Sequence, residues 1–175
     1  MKKVILALLL GALVTTGVFS DHPSGLGLGF MGRWGIGWGD GQGANGAAFS
    51  LKLPSIPIFW AATFDVKSNL SGFGFIGDRY FYHNPLFSDI NLHWFIGVGA
   101  YVSFYIFSSS DKNYSSIEMG ARIPVGLSWQ PLELLEFFLN IAPSLGLAVD
   151  IGGNDAGLKF PRGGLPLEVG IRVWL

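Results

Sequence analysis

The sequence contains eight charged residues whose spacing would place them all on one face of extended segments. Each lies in a stretch where apolar residues occupy every second position, and the charge falls in the alternate set. Successive side chains of a strand point to opposite faces, so such charges would share the face opposite the apolar one. Buried charges must be paired and hydrogen-bonded, which a balanced set allows. The set has four cations and four anions: Arg33, Lys52, Asp65, Asp78, Glu118, Arg122, Glu168 and Arg172.

Residue types that support catalysis or metal binding are present but are not spaced for either chemistry. The three histidines, His22, His83 and His93, have no second histidine at strand or helical spacing, so no zinc site is predicted. Nothing places a serine, a histidine and an acid as nucleophile, base and orienter. The stretch GLGLGF (Gly25 to Phe30) is followed by no helix and fits a dinucleotide fingerprint poorly. We therefore predict no enzyme and no cofactor.

The elements that would position the charges are strands, and the last of them is the most regular. In GGLPLEVGIRVWL, residues 163–175, one parity is entirely apolar and the other carries Glu168 and Arg172. An entirely apolar outer face indicates that the strand is surrounded by lipid. The apolar parity comprises Leu165, Leu167, Val169, Ile171, Val173 and Leu175.

The same two-residue period recurs in seven earlier segments. Most of them reach the ~9–11 residues that a tilted strand needs to cross a bilayer. The sequence thus predicts an all-β fold, an eight-stranded antiparallel up-and-down transmembrane β-barrel with a filled polar interior. The eight segments are separated by Gly, Asn, Asp, Ser and Pro clusters and are residues 25–38, 47–53, 58–66, 70–82, 91–107, 114–129, 137–150 and 164–175.

Several stretches depart from this period. Arg79 falls on the apolar side of its segment, where it would have to snorkel towards a membrane interface. Residues 83–90 are predicted to form a turn, and residues 151–163 a long polar loop. The run PLELLE, residues 131–136, is compatible with a single helical turn. Three prolines inside proposed strands lack the N–H of the sheet ladder and predict bulges or breaks: Pro124, Pro143 and Pro166.

Composition limits the class of protein and its compartment. Hydrophobic residues make up 50% of the 175 residues and charged residues 13%, against ~25% charged in soluble domains. The net charge of −1 gives no electrostatic basis for nucleic-acid binding, and the absence of cysteine excludes disulfides and thiol chemistry.

Residues 1–20 read as a cleaved signal peptide, with Lys2 and Lys3 before a short apolar run. Residues 21–175 would then form a single barrel domain.

Two interpretations of the barrel interior remain open. The first is a structural plug, in which ion pairs fill the narrow lumen that eight strands leave. The second is a gated path for solutes or protons. Polar neighbours on the inward parity could complete a hydrogen-bond network in either case: His93, Tyr101, Ser103, Tyr105 and Asn140.

The chain resembles the small eight-stranded outer-membrane barrels, of the outer membrane protein X type and the type of the membrane domain of outer membrane protein A. Strand number, alternation and lumen charge pairs carry this resemblance. Three stretches, SLKLPSIPIFWA, GDRYFYHNPL and LGLAVDIGG, also resemble small barrels of spirochaetes. The resemblance implies Sec export, the bacterial outer membrane, and as partners its lipid, periplasmic chaperones and the barrel-assembly machinery. It also implies a C-terminal barrel-insertion signal, formed by Leu167, Val169, Ile171, Val173 and Leu175.

Two functions follow as hypotheses. The first is a structural or surface-interaction role, including adhesion and binding of host extracellular proteins such as complement regulators, as the resemblance implies. Its candidate contacts lie in the predicted long loop: Asn154, Asp155, Lys159, Phe160 and Arg162. The alternative is a narrow gated channel or transporter for small or hydrophobic solutes.

Overall fold

A computed structural model of the chain describes residues 25–38, 43–67, 70–108, 113–152 and 156–175. These residues form one antiparallel sheet that closes on itself through pairing of its first and last strands. A single 3₁₀ turn, Ser88–Ile90, joins two of the strands. The strands are β1 (Gly27–Trp38), β2 (Asn45–Lys52), β3 (Phe59–Lys67), β4 (Leu70–Phe87), β5 (Leu92–Ser108), β6 (Asn113–Arg122), β7 (Val125–Leu132), β8 (Leu135–Ile141), β9 (Ser144–Ile151) and β10 (Gly157–Trp174).

These ten segments form eight strands of a barrel, because two of the eight barrel strands are each interrupted once and so appear as two segments. β6 and β7 continue one another across Ile123 and Pro124, while β8 and β9 do so across Ala142 and Pro143. The interruptions are side by side, and the backbone N–H of Ile123 donates to the carbonyl of Pro143 at 3.0 Å. Pro124 and Pro143 therefore break their strands as predicted. Pro166 instead stays within β10, opposite Gly35.

The register defines how far the strands are staggered around the barrel. Gly27 pairs with Lys52, and the chain of partners continues through Phe59, Asp78, Gly99, Arg122, Ser144 and Gly164. Gly164 pairs in turn with Gly37 of β1, ten residues beyond the starting point. A stagger of this size requires tilted strands and leaves an interior that side chains can fill.

The alternation sets apolar residues outside and polar residues inside. On β10, Leu167, Val169 and Ile171 are 39–43% exposed, whereas Glu168 and Arg172 are buried. The same contrast recurs around the barrel, which reverses the pattern of a soluble barrel with an apolar cavity. The predicted fold class is therefore confirmed in the part of the chain that the structure describes. Within the same residues, no helix has the length and apolar character needed to cross a membrane.

Two segment boundaries and the facing of residues within one strand differ from the sequence prediction. The predicted turn at residues 83–90 is mostly strand, since β4 runs on to Phe87. An unpaired residue, Phe81, interrupts the register between Tyr80 and Tyr82. Such a bulge reverses the parity that follows it, so Tyr82 lies outside although it shares the sequence parity of inward Asp78, and His83 lies inside. The predicted loop 151–163 is also shorter, because β10 already begins at Gly157 and pairs with β9.

We call the end of the barrel at which β10 finishes the lower rim and the opposite end the upper rim. Exposed aromatic residues surround the lower rim, including Tyr82, Trp94 and Trp129. Aromatic side chains of this kind favour the interface between lipid and water. Gly27 lies at this rim facing inward, where a Cβ atom would lie 2.7 Å from Cδ of Arg172. This glycine makes room for a large inward neighbour.

Candidate functional site

The barrel interior contains all eight of the charged residues singled out in the sequence. Each is at most 8% exposed, because inward positions of a narrow barrel face one another across a space that side chains fill. They do not form one continuous network. Five of them meet in a central cluster, while the others lie towards the rims.

Glu168 is the hub of the central cluster. Its Oε1 accepts from Nε of Arg33 at 3.1 Å, and its Oε2 pairs with Nη2 of Arg122 at 2.6 Å. Arg33 also pairs with Asp65 at 3.3 Å, and Nε of Arg122 lies 3.1 Å from Oδ1 of Asp78. Two arginines are thus held by three carboxylates, and the five residues lie on five different strands, β1, β3, β4, β6 and β10. Such a geometry fixes side chains that would be costly to bury singly.

A second cluster lies near the lower rim around Arg172. Its Nη1 pairs with Oε2 of Glu136 at 2.6 Å, and its Nη2 donates to Ser50 at 3.1 Å. Glu136 also accepts from Nε1 of Trp174 at 3.0 Å and from the hydroxyl of Ser128 at 2.8 Å. The carboxylate of Glu136 is therefore held by three contacts: the charged guanidinium of Arg172, the indole N–H of Trp174 and the hydroxyl of Ser128.

Sequence reasoning missed Glu136 because PLELLE has no alternation before its last residue. β8 begins only at Leu135, and from there Glu136, Phe138 and Asn140 are buried in turn. Extending the period of the predicted segment 137–150 back by one residue would have located Glu136 on the inward face, because it shares the parity of Phe138 and Asn140. Lys52 lies near this cluster, and its Nζ donates to the carbonyl of Leu53 at 2.7 Å.

Stacked aromatic rings occupy the interior beside this cluster. The ring of Tyr80 lies between those of Phe59 and Phe95, with centroids 4.5 and 4.3 Å away. His83 and His93 stack on each other with centroids 4.7 Å apart. The sequence did not predict this histidine pair, because the bulge at Phe81 is what turns His83 inward. No group of three or more His, Cys, Asp or Glu suited to a metal ion occurs in the described part of the chain.

A third cluster lies towards the upper rim and corrects the predicted surface loop. Nη2 of Arg162 pairs with Oδ2 of Asp150 at 3.2 Å, and Ser116 donates to Oδ1 of Asp150 at 2.6 Å. Arg162 is only 8% exposed, so it is an interior residue and not a loop contact. Pairing of β9 with β10 places it there. Glu118 accepts from the hydroxyl of Tyr101 at 2.8 Å in the same region.

The other predicted loop contacts have different positions. Lys159 and Phe160 belong to β10, where Phe160 is 70% exposed and Lys159 is partly buried. Asn154 and Asp155 lie outside the described residues, as does the predicted signal peptide, residues 1–20. The five residues of the predicted insertion signal all lie on the outer face of the last strand or at its end: Leu167, Val169, Ile171, Val173 and Leu175.

Little empty space remains between the clusters. One cavity of about 30 Å³ borders Arg33, Glu118 and Arg122, and another of about 20 Å³ borders Asp78 and Arg172. A water needs at least ~10–15 Å³ of such space, so each cavity accommodates no more than one or two waters. A small apolar cluster packs beside them: Met31, Ala48, Ala61, Ile76 and Phe138. Chemically, these described side chains bind one another, and neither of the two cavities has room for a ligand much larger than water.

Comparison with known structures shows the same fold. Neisserial surface protein A is similar over 86% of this chain and 97% of its own, with 13% identity and a TM-score of 0.53. The N-terminal β-barrel domain of Pseudomonas aeruginosa OprF is similar over 85% of this chain and 97% of its own, with 13% identity and a TM-score of 0.51. At this identity the likeness shows the fold alone.

Sequence comparison identifies the family. No curated protein matches the chain significantly. Residues 55–169 match the family described as "Protein of unknown function (DUF3996)", and this match spans more than half of the 175 residues. It runs from the turn before β3 to the middle of β10. The chain therefore belongs to the DUF3996 family.

Proposed function

We propose that the protein is an integral barrel of the bacterial outer membrane with a structural or surface-interaction role, and that it does not conduct solutes. The single observation that carries this proposal is the occupied interior. Glu168 joins Arg33 and Arg122 across the lumen at 2.6–3.1 Å. The apolar outer face supports the membrane assignment, because such a face is stable in lipid and unfavourable in water.

Conductance of the refolded protein in planar bilayers tests this role. The wild type should give no resolvable current steps, because the cavities beside the described ion pairs hold only about 30 and 20 Å³ and ions need a continuous polar path. Steps that change in Arg122→Ala would contradict the proposal and support the gated channel.

The surface-interaction role requires an accessible upper rim. Phe160 is 70% exposed on β10 and lies at the upper end of the barrel, opposite both described termini. If those termini face the periplasm, the upper end faces the outside of the cell. An epitope inserted between residues 153 and 155 should be labelled on intact cells, whereas one in the turn at Glu133 should not. The reverse pattern would contradict this orientation.

Host-protein binding is a finer proposal and needs its own test. We expect refolded protein to retain a complement regulator from serum through the residues that link β9 to β10 and the start of β10. Replacing Asn154, Asp155, Lys159 and Phe160 by glycine and serine should abolish this retention. Arg162 is left intact in the variant, because its buried ion pair with Asp150 supports the barrel itself. Unchanged retention would exclude this surface as the contact.

A further inference from the structure

Three prolines lie close together on neighbouring strands of the barrel wall. In an antiparallel ladder, the two residues of a hydrogen-bonded pair exchange two N–H···O bonds. Proline has no N–H and can only accept, so a pair that contains proline keeps one of the two. Such a pair occurs at each of three successive strand junctions, and its remaining hydrogen bond is 2.9–3.0 Å long: the N–H of Gly97 donates to the carbonyl of Pro124, that of Ile123 to Pro143, and that of Ala142 to Pro166.

The three pairs form one continuous line across the wall. Ile123 precedes Pro124, and Ala142 precedes Pro143, so each pair adjoins the next. The line coincides with the two strand interruptions, between β6 and β7 and between β8 and β9. We call the six residues of these pairs the proline line, which crosses the wall from β5 to β10.

The missing hydrogen bonds affect three backbone carbonyls. Those of Gly97, Ile123 and Ala142 lack the donor that a regular ladder would provide. On the outer side, where the apolar side chain of Ile123 is 48% exposed, lipid offers no replacement donor. On the inner side, the cavity of about 30 Å³ borders Pro166 and has space for one or two waters. The wall is therefore held less firmly along the proline line than in the rows above and below it.

The proline line separates two double-stranded parts of the wall. Above it, β6 and β9 pair over eight consecutive residues, from Ser115 to Arg122 on β6; we call this pair the upper panel. Below it, β7 and β8 form the lower panel, which begins at Val125. The flank of the upper panel with β5 is a regular ladder. On its other flank, the register between β9 and β10 shifts between Lys159 and Arg162, so the upper panel is bounded on two sides by irregular hydrogen bonding.

An ion pair crosses the irregular flank. Asp150 of β9 and Arg162 of β10 are 3.2 Å apart and both are buried. Ser116 of β6 donates to the same carboxylate at 2.6 Å. Asp150 therefore joins both strands of the upper panel to β10, in the manner of a latch.

We propose that the proline line is a hinge, at which the three remaining hydrogen bonds open together and the upper panel swings relative to the lower panel. The panel stays attached to β5, and the ion pair between Asp150 and Arg162 limits the swing. Such a motion changes the shape of the upper rim without unfolding the barrel. The hinge belongs to the barrel wall, so a failure of the surface-interaction role would leave it standing.

Hydrogen exchange of the refolded full chain in micelles, followed residue by residue by NMR, tests the hinge. The three N–H donors of the proline line should exchange about tenfold faster than the matched amides, the effect of one lost hydrogen bond in each pair. The matched amides lie two residues away on the same strands, in pairs without proline: Gly99, Ala121 and Asn140. Equal exchange in the two sets would overturn the hinge.

Restoring a ladder donor should close the hinge locally. Pro143→Ala supplies an N–H opposite Ile123 and should slow exchange at Ile123 about tenfold. Pro57→Ala is the matched control, because Pro57 lies in the exposed link between β2 and β3, and it should leave this exchange unchanged. Heat-shifted electrophoretic mobility establishes that each variant is a closed barrel. Pro166→Ala, read at Ala142, gives the same test if Pro143→Ala fails to fold, and unchanged exchange in a closed variant would contradict the hinge.

Distances between spin labels test the swing, since the chain has no native cysteine. Leu139→Cys with Val149→Cys places one label on each side of the proline line, on β8 and β9. Ile96→Cys with Ile106→Cys is the matched control, because it spans the same number of residues on uninterrupted β5. The first pair should give the broader distance distribution, and Asp150→Asn should broaden it further by releasing the latch. A first distribution as narrow as the control, or one that Asp150→Asn leaves unchanged, would overturn the proposal.

Discussion

Neutralising Glu168 is the sharpest perturbation of the barrel interior. Glu168 is 1% exposed and contacts Arg33 at 3.1 Å and Arg122 at 2.6 Å. Glu168→Gln keeps the shape of the side chain and removes the charge that both arginines share. Removing one partner of a buried ion pair costs ~3–5 kcal/mol. Because Asp65 and Asp78 still provide one carboxylate for each arginine, we expect a loss of about 3 kcal/mol, at the lower end of that range.

Urea unfolding of the protein in lipid vesicles, followed by tryptophan fluorescence, measures this loss as a change in the free energy of unfolding. Glu133→Gln is the matched control, because Glu133 is exposed in the turn between β7 and β8, and it should change stability by no more than ~0.5 kcal/mol. The double variant Glu168→Gln, Arg122→Met should lose less than the sum of the single variants. A loss below about 1 kcal/mol for Glu168→Gln is what solvated ion pairs give, and it would refute the reasoning.

Three further substitutions probe the faces and the packing. Val169→Lys places a charge on the outer face of β10, which should cost ~2–4 kcal/mol near the bilayer midplane; vesicle insertion equal to wild type would show that the faces are misassigned. Gly27→Leu introduces a Cβ atom 2.7 Å from Cδ of Arg172 and should cost ~1–3 kcal/mol by overpacking. An unchanged urea midpoint would mean that this part of the interior is loosely packed. Ser116→Ala removes the 2.6 Å hydrogen bond to buried Asp150 and should cost ~1–3 kcal/mol in the same assay; a neutral result would indicate that water replaces the hydroxyl.

The period of the sequence was sufficient to predict which face of most strands is buried. Val169 and Glu168 illustrate why, since a one-residue slip would exchange a lipid-facing valine for an interior carboxylate and is strongly disfavoured. The positions of Arg33 and Arg122 in the interior follow from the same rule. Which carboxylate each arginine meets does not follow, because that depends on the stagger of the strands around the closed barrel.

The features that sequence reasoning missed depend on pairing between strands. The unpaired Phe81 has no compositional mark, and one such residue was enough to turn His83 inward towards His93. Arg162 was assigned to a loop because residues 157–163 are rich in glycine and charge. Its pairing with β9 and its contact with Asp150 are decided by the tertiary structure.

Closure between β1 and β10 has a kinetic consequence. Their pairing joins Gly27 to Trp174, the two ends of the sheet, and contacts of such separation form slowly because loop-closure entropy must be overcome first. The ion pair between Arg33 and Glu168 spans this same seam. Until the seam forms, Arg33 and Glu168 each lack one of their two charged partners, and the facing edges of β1 and β10 leave backbone N–H and C=O groups without hydrogen bonds, which is costly in hydrocarbon. An open sheet is therefore unfavourable within the lipid, and formation of the last strand pair and entry into the membrane should occur as one coupled event.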